Sequence, residues 1–84
     1  MTELKTMPNI GIELARKLTS VGIGDAETLL AVGAIEAYAR LKDAYPQVCT
    51  VHLYALEGAV RNVAMQDLPQ EIRGRLQAAA QVLK

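Results

Sequence analysis

Apolar residues recur along this chain at steps of three and four, and no run alternates with period two. Leu14, Leu18 and Val21 follow the helical step with Ala15 beside them, and Gly22 stops the run, so a helix is predicted over 11–21. Asp25 is the expected cap of a short helix over 25–32. Leu29, Leu30 and Val32 reach toward the core, Glu27 sits in the first turn, and Gly33 ends it. Ile23 pins the connection into the core. Ala34, Tyr38, Leu41 and Tyr45 form the stripe of a third helix over 34–44, with Ile35 on its edge and Glu36, Arg40 and Asp43 turned away. Pro46 closes it.

Thr50 is the expected N-cap of a helix over 51–61, buried along Leu53, Leu56, Val60 and Val63. Ala55, Gly58, Ala59 and Asn62 make a second face of small residues. A glycine inside a helix costs about 1 kcal/mol relative to alanine, so close approach of another helix at Ala34 or Ala37 is expected there. Residues 62–68 read as a linker. Pro69 opens a last helix over 69–83 along Ile72, Leu76, Ala79 and Leu83, with Glu71 in its first turn. The pattern predicts an all-α fold: a compact bundle of about five short helices in one domain, residues 1–84, with no strand and no internal repeat.

The stretch Met7 to Gly22 organises this reading. Pro8 fixes its own φ and biases Met7 away from helix, so any earlier helix is short and lies within Thr2–Thr6. Asn9 tolerates positive φ, and Gly11 lets the backbone pass close to another group. A turn of this kind at a helix N-terminus offers backbone amides to a phosphate. Asn9, Gly11, Arg16 and Lys17 are therefore the candidate nucleic-acid or partner contacts. Glu13 opposes that role. It puts a negative charge in the first turn, four residues before Lys17, the order that favours an ion pair.

Composition narrows the classes. Lys plus Arg number 9 and Asp plus Glu number 9, so no general field favours nucleic acid or an anionic membrane. The only aromatic residues are three tyrosines, and the core is built from Leu, Val, Ile, Ala and Met. The single cysteine, Cys49, rules out an internal disulfide and fits a reducing cytoplasm. No apolar run resembles a signal peptide or reaches membrane-spanning length, so a soluble, cytoplasmic protein is expected.

No catalytic constellation is visible. Cys49 and His52 have metal-ligand spacing, but structural zinc takes four ligands and there is no second pair. As a nucleophile, Cys49 lacks a third orienting residue and an oxyanion loop. Glu57, at the edge of a buried stripe, is expected to pair with Arg61 rather than to act in acid–base chemistry. Tyr38, Tyr45 and Tyr54 read as core residues with wet hydroxyls, and Arg73 and Arg75 as a solvated face. The expectation is no enzyme, no cofactor and no metal.

Asn9-Ile10-Gly11, Gly22-Ile23, Gly33-Ala34, Ala37-Tyr38, Leu41-Lys42, Leu53 through Ala59 and Leu68-Pro69 follow one another in an order that resembles the C-terminal domain of TfoX-type competence regulators. The resemblance spans almost the whole chain. It implies a compact helical domain related to helix-hairpin-helix folds, and a bacterial protein linked to regulation, because TfoX proteins promote expression of DNA-uptake genes. Where those domains often carry proline and a basic residue after the hairpin glycine, this chain has Ile12-Glu13. Where they commonly carry a tryptophan before Leu-Pro, Met65 stands nearby. The sequence does not include the N-terminal domain of full-length TfoX. The expected role is a non-catalytic regulatory and interaction domain whose partner is a protein, self-association included. Helix-hairpin-helix-type binding to the DNA backbone is the alternative, and no membrane partner is expected.

Overall fold

The computed structural model describes residues 2–83, which are helix and turn with no strand among them. One turn of 3-10 helix, Leu4–Thr6, precedes α1 (Ile12–Ser20), α2 (Ala26–Val32), α3 (Ala34–Ala44) and α4 (Thr50–Arg61). A second 3-10 turn, Met65–Asp67, leads to α5 (Gln70–Val82). The Cα radius of gyration is 11.5 Å, close to the roughly 12 Å of a compact chain this long. All five predicted helices are present, each within a residue or two of its expected bounds.

The punctuation is what the residues dictate. Asp25 caps α2 by accepting from the Thr28 amide at 2.8 Å, and hydrogen bonding to the Thr28 side chain and amide holds its carboxyl below the usual range. Gly33, at φ 87°, is the one residue between α2 and α3. Asn62 takes the left-handed conformation at φ 62° and ends α4, with the Val63 amide bonding back to the Gly58 carbonyl at 2.8 Å.

α4 lies at the centre, packed on α3, on α5 and on the second 3-10 turn. Leu18, Ile23, Leu29, Leu41, Val48, Leu53 and Leu56 are fully buried in one cluster. Burying each such leucine contributes about 1.5–3 kcal/mol before entropy is counted. Glu57 pairs with Arg61 on the rim of α4.

Several expectations are corrected. Leu30 is 52% exposed, because only Leu29 of the adjacent pair can face inward from a helix of two turns. Val63 is 37% exposed, since the left-handed Asn62 turns the chain before the stripe can continue. For the same reason Asn62 is an exposed end cap and not part of the small-residue face. Cys49, not Thr50, is the N-cap of α4, and Pro69 stands one residue ahead of α5. Residues 62–68 include a turn of 3-10 helix. Gly58 does not receive α3. A Cβ placed there would lie 2.7 Å from the Val63 carbonyl oxygen and against the side-chain amide of Asn9.

The chain also carries a local repetition that the sequence reading missed. Asn9-Ile10-Gly11 and Gly22-Ile23-Gly24 each place a residue at positive φ (70° and 89°), then a buried isoleucine, then an exposed glycine before a helix. Asparagine and glycine are the residues that accept this conformation most readily. The shared backbone is hidden because different side chains supply it.

Candidate functional site

The Met7–Gly11 turn is tied inward. The Asn9 carboxamide donates to the carbonyls of Val63 at 2.9 Å and Ala55 at 3.4 Å, and accepts from the Met65 amide at 3.0 Å. These bonds join the turn to the last part of α4 and the start of the second 3-10 turn. Gly11 follows as the extended N-cap of α1, exposed and with no side-chain capping bond.

The four candidate contact residues do not converge. Asn9 faces α4. Lys17 lies over the ring of Tyr45, its Nζ 5.4 Å from the centroid. The expected Glu13–Lys17 ion pair does not form, because Lys17 turns to that ring instead. Arg16 is exposed and borders a separate shallow cleft with Lys5, Ile12 and Thr19. Gly11 alone presents the backbone of the α1 N-terminus.

Cys49 and His52 form a cap. The Cys49 amide donates to His52 Nδ1 at 3.2 Å, and its Sγ lies 3.7 Å from the same nitrogen. The reciprocal N-cap and third-residue arrangement explains the Cys-x-x-His spacing without a metal. Among the described residues, no group of three or more His, Cys, Asp or Glu side chains is placed to hold a metal ion.

Among the described residues, a larger concave surface lies along α3, α4 and α5. Two adjoining clefts of about 430 and 550 Å³ share Tyr54 and Gln77. The Gln77 side-chain amide donates to the Tyr54 hydroxyl at 2.7 Å across their junction. Gln70, Gly74, Gln77 and Gln81 line this surface from α5 at spacings of four, three and four, which places them on one helical face. Lys42 lines the first cleft, and Arg73 lines the second where it meets the first at Tyr54. Lys42 Nζ donates to the carbonyls of Pro46 at 3.0 Å and Val48 at 2.7 Å. Arg73 lies over the Tyr54 ring and donates to the Met65 carbonyl at 3.0 Å, while its Nε is buried without a partner. Tyr38 and Tyr54 line the clefts, whereas Tyr45 bonds Ser20 on the other side of α3. The spacing of three glutamines and a glycine opposite the Leu76 stripe was the available signal for this face.

The comparisons agree with this architecture. No curated protein matches the chain. It is similar to an uncharacterized protein from Listeria monocytogenes, seen in a triclinic crystal form, at 36% identity and a TM-score of 0.89, over 90% of this chain and 86% of that one. It is also similar to a protein of unknown function from Listeria monocytogenes in a tetragonal form, at 35% identity and a TM-score of 0.92, over 95% and 99% of the two chains. The family model for the TfoX C-terminal domain matches residues 1–80, and the chain belongs to that family.

Proposed function

We propose that this chain is a non-catalytic interaction domain of bacterial regulators, acting through protein partners and linked to the control of DNA-uptake genes. The observation that carries this reading is the inward engagement of Asn9 together with Lys17 on Tyr45. It leaves Arg16 as the exposed cation of a turn whose helix begins with a carboxylate, Glu13. Affinity for a phosphate backbone rises with the number of phosphates neutralised, and such a turn neutralises few. The large polar cleft, with no titratable constellation in it, suits recognition better than turnover.

Cross-linking in the native host, followed by capture of the tagged chain and nuclease treatment, tests this. A discrete protein that remains after nuclease treatment supports the reading. Loss of all captured material on nuclease treatment overturns it and favours the second reading, a helix-hairpin-helix contact to the DNA backbone. That second reading draws on the uncapped N-terminus of α1 behind Gly11.

A further inference from the structure

We propose that the joined clefts along α3, α4 and α5 form a docking groove for an extended, acidic peptide segment of a partner protein. The inference rests on the interaction reading above and names its surface.

Charge selects the occupant. Asp and Glu number 9 in this chain, yet none lines either cleft. Lys42 and Arg73 do line them, and among the described residues neither lies within ion-pair distance of a carboxylate. Their local partners are carbonyl oxygens and an aromatic ring, which leave both positive charges uncompensated. A carboxylate entering beside either cation gains a charge-assisted bond.

Shape and hydrogen bonding select an extended backbone. Beside the two cations, α5 presents Gln70, Gln77 and Gln81. Each carboxamide carries both a donor and an acceptor, the complement of a peptide group. Gly74 sits within this row, and a Cβ built there meets nothing within 4 Å, so a chain can approach the helix closely at that point. Gln70 to Gln81 spans about 16 Å along the helix axis, the length of about five extended residues. A nucleic-acid strand fits less well. The ring of Tyr54 is already covered by Arg73, its hydroxyl is bonded to Gln77, and Tyr38 is only 3% exposed, so no aromatic platform is left for base stacking.

The test is selection of displayed random peptides on the parent domain alone, followed by measurement of the selected peptides on Gly74→Glu. That substitution adds a carboxylate to the groove at a position where a Cβ meets nothing within 4 Å, and Gly74→Lys is the charge control. Selected peptides are then measured by fluorescence anisotropy against both variants, against Lys42→Gln, and beside an oligothymidylate of similar length. The expected result is an excess of Asp and Glu in the selected peptides. Gly74→Glu lowers their affinity by about tenfold, the equivalent of 1.4 kcal/mol. Gly74→Lys retains it, Lys42→Gln weakens it, and added salt weakens it in every case. Thermal melts of the variants at or above the parent midpoint show that the fold is kept. Failure to enrich any peptide, enrichment without an acidic excess, or equal binding to Gly74→Glu overturns the proposal. So does oligothymidylate binding that is tighter than peptide binding and is lost in Gly74→Glu. If the partner captured in the host still binds Gly74→Glu, the groove assignment falls while the interaction reading stands.

Discussion

The side chain of Asn9 occupies the space that a side chain at Gly58 would need. The two residues lie on elements far apart in sequence, and the absent Cβ of one makes room for the carboxamide of the other. The same carboxamide bonds Val63 and Met65, so one asparagine closes the first turn onto the end of α4.

Gly58→Ala is therefore expected to destabilise by about 1–3 kcal/mol through overpacking, despite a helix-propensity gain of about 1 kcal/mol. Asn9→Ala removes the bonds to Val63 and Met65 and puts alanine at positive φ, with an expected loss of about 2–4 kcal/mol. Asn9→Gly keeps the backbone and loses only the bonds. In the double variant with Gly58→Ala the two losses are expected to sum to less than their total, because the carboxamide no longer meets the new methyl. Urea denaturation of the four proteins measures this coupling, and strict additivity would show that the packing of the two residues is independent.

Leu56→Ala is expected to destabilise by about 2–5 kcal/mol, since it empties a fully buried site on the central helix. Leu30→Ala, at a half-exposed position, is expected to stay within about 0.5 kcal/mol of the parent. Denaturation midpoints compare the two directly, and equal losses would contradict the burial described for α2.

Acid is expected to loosen the first residues. The Glu27 carboxylate accepts from the Thr2 amide at 2.9 Å and from the Thr2 hydroxyl at 2.7 Å. Those bonds lower its pKa from 4.5 to about 2. A carboxyl depressed in the folded state contributes its stabilisation fully above the unfolded value and loses it as pH falls through the folded one. The difference between the parent and Glu27→Ala is therefore expected to be constant near neutrality, to shrink below about pH 4.5 and to vanish only below about pH 2. Denaturation at stepped pH checks this, and a difference that grows on acidification would refute the Thr2 clasp.

Duplex DNA is expected to bind weakly and with a shallow salt slope, because few cations of the hairpin are free to neutralise phosphate. Glu13→Lys is expected to raise affinity and steepen the slope if the α1 N-terminus has the geometry for a phosphate. Anisotropy with a labelled duplex at low and moderate salt reads both. Submicromolar binding by the parent at moderate salt would promote the DNA reading over the protein-partner one.

The helices were legible because Leu14, Leu18, Leu53, Leu56 and Leu76 repeat at the helical step and Gly22, Gly33 and Pro46 punctuate them. Single-residue fates were less so. Leu30 and Leu29 look alike in sequence, and only the orientation of a short helix separates them. The role of Gly58 was half read. A close approach was expected, but its partner came from Asn9, forty-six residues from the Ala55 carbonyl it also bonds, and periodicity carries no information at that range. The groove escaped for a related reason: Lys42 is on α3 and Arg73 on α5, and only folding puts them on one acid-free surface.

The bond from Met65 to Asn9 has a consequence for how the chain opens. An amide whose acceptor is 56 residues away in sequence cannot be released by fraying of its own turn alone while Asn9 holds it. Release requires the first turn to part from α4, which exposes the surface buried between them. The Met65 proton should therefore exchange with deuterium among the slowest of any amide outside the helices, at a rate that follows global unfolding. In Asn9→Gly it should exchange as fast as an ordinary loop amide, although the helices around it remain.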